Sequence, residues 1–356
     1  MFEIFRQWYD RTFSDPQALL LAALLIIGTA VVLLAGQVLA PILAAMVLAY
    51  ILDGAVIRLT RWNIPRKVAV WIVFTAFVAL VVAILVWLAP LLIRQAGQFL
   101  VEVPRMIAKG QDLLMELPAR YPTLISEEDI SRLIAQVRVQ LAGVGKLVLS
   151  SSLSSVVGLI TAMVYLILVP VLIFFFLYDK DKLFRWATSF LPEDRPLAVT
   201  VWKEMDLKIS SYARGKLLEI AFVWVVSWVA FSLLGLNYAV LLSLIVGLSV
   251  LIPYVGAAAV TLPVALIAYY QWGLDIRTAW VLVAYGVIQF FDGNLLAPLL
   301  FAEAVNIHPI AIITAVLFFG GLWGVWGVFF AIPLATLIQT ILEVWPRQEP
   351  AVATGK

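Results

Sequence analysis

Long apolar runs separated by short charged segments constrain this chain more than any other feature. Residues 17–35, 38–52, 68–93, 156–178, 217–236 and 278–300 are each apolar enough, and long enough or nearly so, for a helix crossing a bilayer, which takes about 20 residues. Charged residues make up 13% of the chain and hydrophobic ones 64%. Soluble domains carry about 25% charged residues, so a largely water-facing surface is excluded. The chain is read as all-α and polytopic in a cell membrane.

Several chemistries drop out at this stage. With no Cys, neither a disulfide framework nor a thiolate metal site is available, and the single His308 removes histidine clusters. A net charge of +2 carries no signal for nucleic acid, and no nucleic-acid partner or cofactor is expected. No G-x-x-x-x-G-K-[ST] loop is present, so ATP is not the expected energy source. Intramembrane catalysis needs a nucleophile–base pair or two central acids. Only Asp292 lies centrally in an apolar run, so an enzyme is not expected.

The segments divide the chain into five parts. Residues 1–93 hold an interfacial helix over 1–15, then three transmembrane helices. Ser14-Asp15-Pro16 starts the first of these, and Gly36-Gln37 reads as a tight break before the second. Arg58, Arg61, Arg66 and Lys67 crowd the next loop, which places it, and both termini, in the cytoplasm. Residues 94–152 read as an extracytoplasmic amphipathic hairpin, with Ser126 and Asp129 as a capping box for its second helix. Residues 153–216 hold the fourth span, with Pro170 inside, and a cytoplasmic amphipathic linker over 196–214. Residues 217–345 form a core of two spans and two interrupted segments, and 346–356 a cytoplasmic tail.

The interruptions are the functional signal. Residues 239–251 are too short to cross alone, break at Pro253, Tyr254 and Gly256, and resume through 270. Residues 310–319 break at Gly320, Gly321, Gly324 and Gly327 and resume through 342. Irregular backbone at membrane depth persists only where protein or a water-filled cavity covers it. Paired interrupted segments are the sequence mark of a transport site with an inverted repeat. Hydropathy allows these segments to be re-entrant hairpins or full crossings, and hairpins are the preferred reading. Between them, Asp292, Gly293, Asn294 and Pro298 sit within apolar sequence. An intramembrane carboxylate costs about 2.5–3.5 kcal/mol on insertion scales, so Asp292 is a candidate ion or proton site. Glu219 reads instead as an acid favoured by a helix N-terminus, and His308-Pro309 as a helix start. Trp323 and Trp326, beside the glycine break, are candidates for lining a pathway.

Five stretches resemble a known family. Residues 211–216 (SYARGK) are similar to a Y-x-R-G-Q motif, and 251–256 (LIPYVG) to an IPYVG signature. Residues 291–298 (FDGNLLAP) are similar to E-G-N-x-L-x-P, and 306–309 (NIHP) to an L-H-P motif. GGLWG at 320–324, Gly327 and AIP at 331–333 are similar to GG-x-x-G-x-x-G…A-x-P. Together they resemble the AI-2E transporter family. Asp292 stands where Glu is common, and 299–302 (LLFA) where a basic residue and Gly are commoner. The resemblance implies a secondary transporter, an exporter or ion-coupled antiporter of a small solute such as an autoinducer-like molecule, or of Na+/H+. It also implies a homo-oligomer in the lipid bilayer. An uncoupled channel and a membrane scaffold are the alternatives. The expected pathway residues are Pro253, Tyr254, Gly256, Asp292, Gly293, Asn294, Pro298, Gly320, Gly321, Gly324 and Gly327.

Overall fold

The computed structural model describes residues 16–115, 155–193, 196–253, 255–301 and 307–344, and every element among them is helical. α1 spans Pro16–Thr60. α2 (Arg66–Ala83) passes through a π turn (Ile84–Leu88) into α3 (Ala89–Met115). α4 (Ser155–Tyr178) is followed by the short α5 (Lys180–Thr188), bent 79° away from it. α6 covers Pro196–Leu233, α7 Ala239–Ser249, α8 Val255–Trp272 and α9 Ile276–Phe291. A second π turn (Asp292–Leu296) leads to α10 (Ala297–Phe301), and α11 runs over Pro309–Val344. Among the described residues five helices are long and apolar enough to cross a membrane, six if α4 and α5 count as one bent span. Large apolar side chains such as Trp87, Ile93, Leu233 and Leu299 stand exposed along them. Such a surface suits lipid. The protein is polytopic and transmembrane.

Helix is assigned without interruption across Gly36-Gln37, where the sequence suggests a tight break. One Gly costs a helix only about 1 kcal/mol, less than leaving backbone groups unpaired in lipid. The path nevertheless turns within α1. A straight helix would hold Leu21 and Tyr50 about 43 Å apart. Yet Leu21 packs with Val201 and Met205 of α6, while the Tyr50 hydroxyl donates to Asp206, at 2.6 Å to its carbonyl oxygen and 2.7 Å to its carboxylate.

α6 is the axis of the molecule. The amphipathic linker expected over 196–214 and the fifth span are one helix, about 56 Å long, well beyond the roughly 30 Å of hydrocarbon. Its first half carries Val201 and Met205 against Leu337 and Ile341 of α11. Its second half carries Val223 and Phe231 into a cluster with Leu242, Val246, Val264 and Val281 of α7, α8 and α9. A second cluster joins α1, α2 and α4 through Ala45, Ala49, Val70 and Ile173. Asp53, its side chain 6% exposed, ties the ends of three helices there: Arg66 pairs with it at 3.0 Å and Lys180 at 2.6 Å.

Both interrupted segments are antiparallel hairpins. In the first, the Asn237 N–H donates to Gln271 Oε1 (2.9 Å) and Gln271 Nε2 donates to the Gly235 carbonyl (2.9 Å), which clasps its two ends together. In the second, Ala315 and Phe319 of the incoming arm share a cluster with Ala331 and Ala335 of the returning one. In a straight helix Ala315 and Ala335 would be about 30 Å apart. Gly324, at φ 59° and ψ −134°, makes the reversal, in a region essentially closed to residues with a Cβ. Extending the third span, α3 reaches the clasped end of the first hairpin. Gln95 Oε1 accepts from the Leu241 N–H at 2.9 Å, Phe99 meets Tyr238 edge-on, and Lys109 donates to the Tyr270 carbonyl at 3.2 Å. The second helix expected over 126–150 and the segments 1–15 and 346–356 lie outside the described residues.

The chain lacks native Cys, so introduced cysteines report sidedness cleanly. Arg105→Cys and Asp275→Cys should label from one face of the membrane and Lys182→Cys from the other. Labelling of 275 and 182 from the same face would mean that the first interrupted segment crosses the bilayer.

Candidate functional site

The two hairpins run along α6 from opposite ends, and their deep ends converge on one stretch of it, Tyr212–Glu219. At the first hairpin, α7 lies so close to α6 that a Cβ on Gly247 would press on Trp224 and the Ile220 carbonyl. α7 ends at Ser249, and its last carbonyls have no helical partner. One of them, Val250 O, accepts from Lys216 Nζ at 2.7 Å. At the second hairpin, Pro333 has no N–H for the carbonyl four residues before it, Phe329 O. That oxygen lies 3.4 Å from the Tyr212 hydroxyl, which donates to it.

Lys216 is at the centre of this stretch. Its Nζ lies 2.6 Å from Glu219 Oε2, and both side chains are only 4% exposed. The Phe301 ring faces the same ammonium at 5.2 Å. Asp292, 9% exposed, is near enough to interact electrostatically with Lys216 and Glu219. Its Oδ1 is buried and accepts no hydrogen bond within the protein. One acid therefore pairs with the ammonium group, and a second lies within electrostatic reach of it, in a poorly solvated setting. A buried ion pair broken by loss of one partner costs about 3–5 kcal/mol, so Lys216 and Glu219 depend on each other.

The tips of the hairpins match in detail. At Gly256, next to the start of α8, a Cβ would collide with the Ser249 carbonyl at the end of α7. At Gly327, where the second arm of α11 begins, a Cβ would collide with the Phe319 carbonyl of the first arm. In both places the returning helix begins in contact with backbone of the incoming one. The Tyr285 hydroxyl of α9 donates to Ala257 O at 2.6 Å and fixes the first tip to the helix that carries Asp292. A cavity of about 1200 Å³ opens between the arms of the second hairpin, lined by apolar residues with Thr314, Gln339, His308 and Glu343.

Comparison with known proteins gives the family. The family model described as "AI-2E family transporter" matches residues 21–347. The putative permease PerM of Escherichia coli K12 is 44% identical over 346 residues, which cover 97% of this chain and 98% of the relative. The chain belongs to the AI-2E transporter family. More distant relatives include the putative transport protein YueF of Bacillus subtilis, 26% identical over 84% of this chain and 82% of its own length. The AI-2 transport protein TqsA of Escherichia coli is 21% identical over 93% of each chain.

Of the residues that the sequence singles out in this AI-2E protein, Gly256 and Asp292 are buried at the convergence, and Pro253 is half-buried in the first tip. Tyr254 lies outside the described residues. Gly293, Asn294 and Pro298 are exposed; Asn294 Nδ2 donates to Phe290 O at 2.9 Å, and the Ala297 N–H closes the π turn on Asp292 O. Gly320, Gly321, Gly324 and Gly327 shape the second tip. The Trp323 ring stacks on Phe319 at 5.7 Å, and its Nε1 has no partner within the protein. The side chain of Trp326 is outside the described set. His308 Nδ1 accepts from the Ile310 N–H at 3.3 Å, in keeping with a helix start.

Glu219 is the correction. α6 begins at Pro196, so Glu219 lies more than six turns from the N-terminus and gains nothing from the helix dipole, which fades within the first turn. What holds it is Lys216, three residues away. The signal was present as an i,i+3 Lys–Glu pair opening an apolar run.

The matched glycines give a test. Gly256→Ala and Gly327→Ala should each cut the yield of folded, monodisperse protein severely. Gly293 and Gly321 have open space where a Cβ would go, so their Ala variants should purify normally, with melting temperatures at or above the parent's.

Proposed function

We propose that this protein is a secondary transporter that moves a small polar solute by way of the Tyr212–Glu219 convergence, coupled to an ion gradient. One observation carries the proposal: two hairpins entering from opposite ends of α6 reach one stretch of it, the first at Lys216 of a buried Lys216–Glu219–Asp292 cluster and the second at Tyr212, one turn before. Half-helix ends within a membrane supply partial charges and free carbonyls for substrates and ions. Here Val250 O is such a carbonyl and Asp292 such a charge. The name of one relative, an AI-2 transport protein, supports a small autoinducer-like solute as cargo. The exposed apolar surface belongs to lipid and to further copies of the chain in a homo-oligomer. The basic residues around Asp53 and Lys180 support a cytoplasmic placement for that end and for both termini, in a cell membrane. Transport, rather than catalysis, is the activity proposed.

In this reading the hairpins are the moving parts. Each is tied to the stationary axis by few polar contacts: Lys216 to Val250 O for the first, and Tyr212 to Phe329 O and Lys208 to Thr340 Oγ1 for the second. Neutralising Asp292 changes the charge balance that holds the first tip against α6, and this links ion or proton binding to tip position.

Asp292→Asn tests the reading because it keeps size and an acceptor oxygen but loses the charge. In proteoliposomes the variant should remain folded and lose gradient-driven, saturable counterflow of the cargo by at least about tenfold, the factor that 1.4 kcal/mol represents. A folded variant that transports at the parent rate, with unchanged response to imposed ion gradients, would remove Asp292 from the mechanism. Non-saturable flux in the parent would favour a channel.

A further inference from the structure

The coordination around Lys216 has a second meaning. Its Nζ contacts a carboxylate oxygen (Glu219 Oε2, 2.6 Å), a main-chain carbonyl at the end of a broken helix (Val250 O, 2.7 Å) and an aromatic face (Phe301, 5.2 Å). A further carboxylate, Asp292, stands close by with its Oδ1 buried and unpartnered. Carboxylate and unwound-backbone carbonyl oxygens are the ligands that membrane transporters use for Na+. An aromatic face attracts a compact cation in the same way. Hard oxygen ligands without His or Cys suit alkali ions and exclude the softer transition metals.

From this geometry we infer that the site is a monovalent-cation site whose occupant is the tethered ammonium of Lys216, so that this protein holds a resident cation where a diffusible Na+ would otherwise bind. Three features support this. The ammonium is only 4% exposed, on a side chain that elsewhere reaches for water. It neutralises one of two acids, the balance a bound Na+ would give. It also satisfies the Val250 carbonyl that the helix break leaves free, which a bound cation would do equally well. As a consequence, added Na+ does not stabilise the parent protein, and coupling falls to a proton on the remaining acid, Asp292. This deepens the transport reading at the same site, but its test reads binding rather than flux, so the two fail separately.

The experiment measures the melting temperature of the purified full chain in NaCl against choline chloride at equal ionic strength. The parent should melt at the same temperature in both salts. Lys216→Gln empties the site while keeping a polar side chain, and it should melt lower in choline chloride. It should then recover by a few degrees, saturably, as Na+ replaces choline, because a ligand that binds only the folded state stabilises it by mass action. Adding Glu219→Gln to Lys216→Gln should abolish the Na+ response, and Lys216→Arg should restore the parent's indifference to Na+. A folded Lys216→Gln protein with no Na+-dependent shift overturns the inference, as does a saturable Na+ shift in the parent. If Lys216→Gln cannot be purified in choline chloride, recovery in NaCl supports the inference, and failure in both salts alongside a normal Lys216→Arg protein counts against it.

Discussion

An ammonium group buried among protein atoms needs its charge balanced on the spot, and in this chain that need assembles the core. Lys216 is on α6, its counter-charge Glu219 is one turn further on, its carbonyl partner belongs to the tip of the first hairpin, and Phe301 and Asp292 come from beyond α9. Remove Lys216 or Glu219 and the rest carry an uncompensated charge or an unpaired carbonyl in poorly solvated surroundings. The cluster therefore fixes how deep the first hairpin reaches along α6 and how α10 crosses it. At that crossing Gly215 leaves no room for a Cβ beside Phe301 and the Leu300 carbonyl.

The second hairpin solves the same problem with a neutral partner. Pro333 leaves Phe329 O without its helical donor, and Tyr212, one turn before Lys216, supplies a hydroxyl. Tyr212 also touches the Phe301 ring, which faces Lys216, so the partners of the two hairpins are in contact. One turn of a single helix therefore separates the anchors of the two tips. Glycine makes the tips alike: Gly256 and Gly327 each let a returning helix start against the carbonyl of the arm it leaves. Convergence from opposite ends is what an inverted repeat requires.

Much of this was legible in the sequence, for identifiable reasons. The apolar runs and the Pro and Gly that interrupt them marked both hairpins, because lipid tolerates no unpaired backbone and so forces breaks to be few and specific. Residues 196–214 were harder. Their apolar face, Val201, Met205 and Ile209, packs against α1 and α11, and a pattern of that kind is identical to that of a helix lying on a membrane surface. Continuity with the following span depends on the helix passing through Arg214 and Lys216, charges that a hydropathy window scores as a boundary. Glu219 was misread as an acid at a helix start for a related cause. Hydropathy assigns each charge its own cost, while in the fold Lys216 and Glu219 cancel most of each other's. Asp292 stood out because its partner is 76 positions away and no local pairing hid it.

Stability alone does not account for the cluster. A buried ion pair replaced by well-packed apolar residues of similar volume is often as stable or more so, and the surroundings of Lys216 are apolar enough to allow that. Asp292 sharpens the point, since a lone pair of its buried Oδ1 goes unused and the cation nearby is already paired with Glu219. It occupies the first position of a π turn, where the widened backbone sets its side chain inward while Gly293 and Asn294 face outward. Single π turns inside α-helices recur at functional positions, and here the distortion positions a carboxylate that does not serve packing. The arrangement is costly for packing alone, and the proposed binding of a proton or an ion at Asp292 is the step that would offset that cost by satisfying the carboxylate.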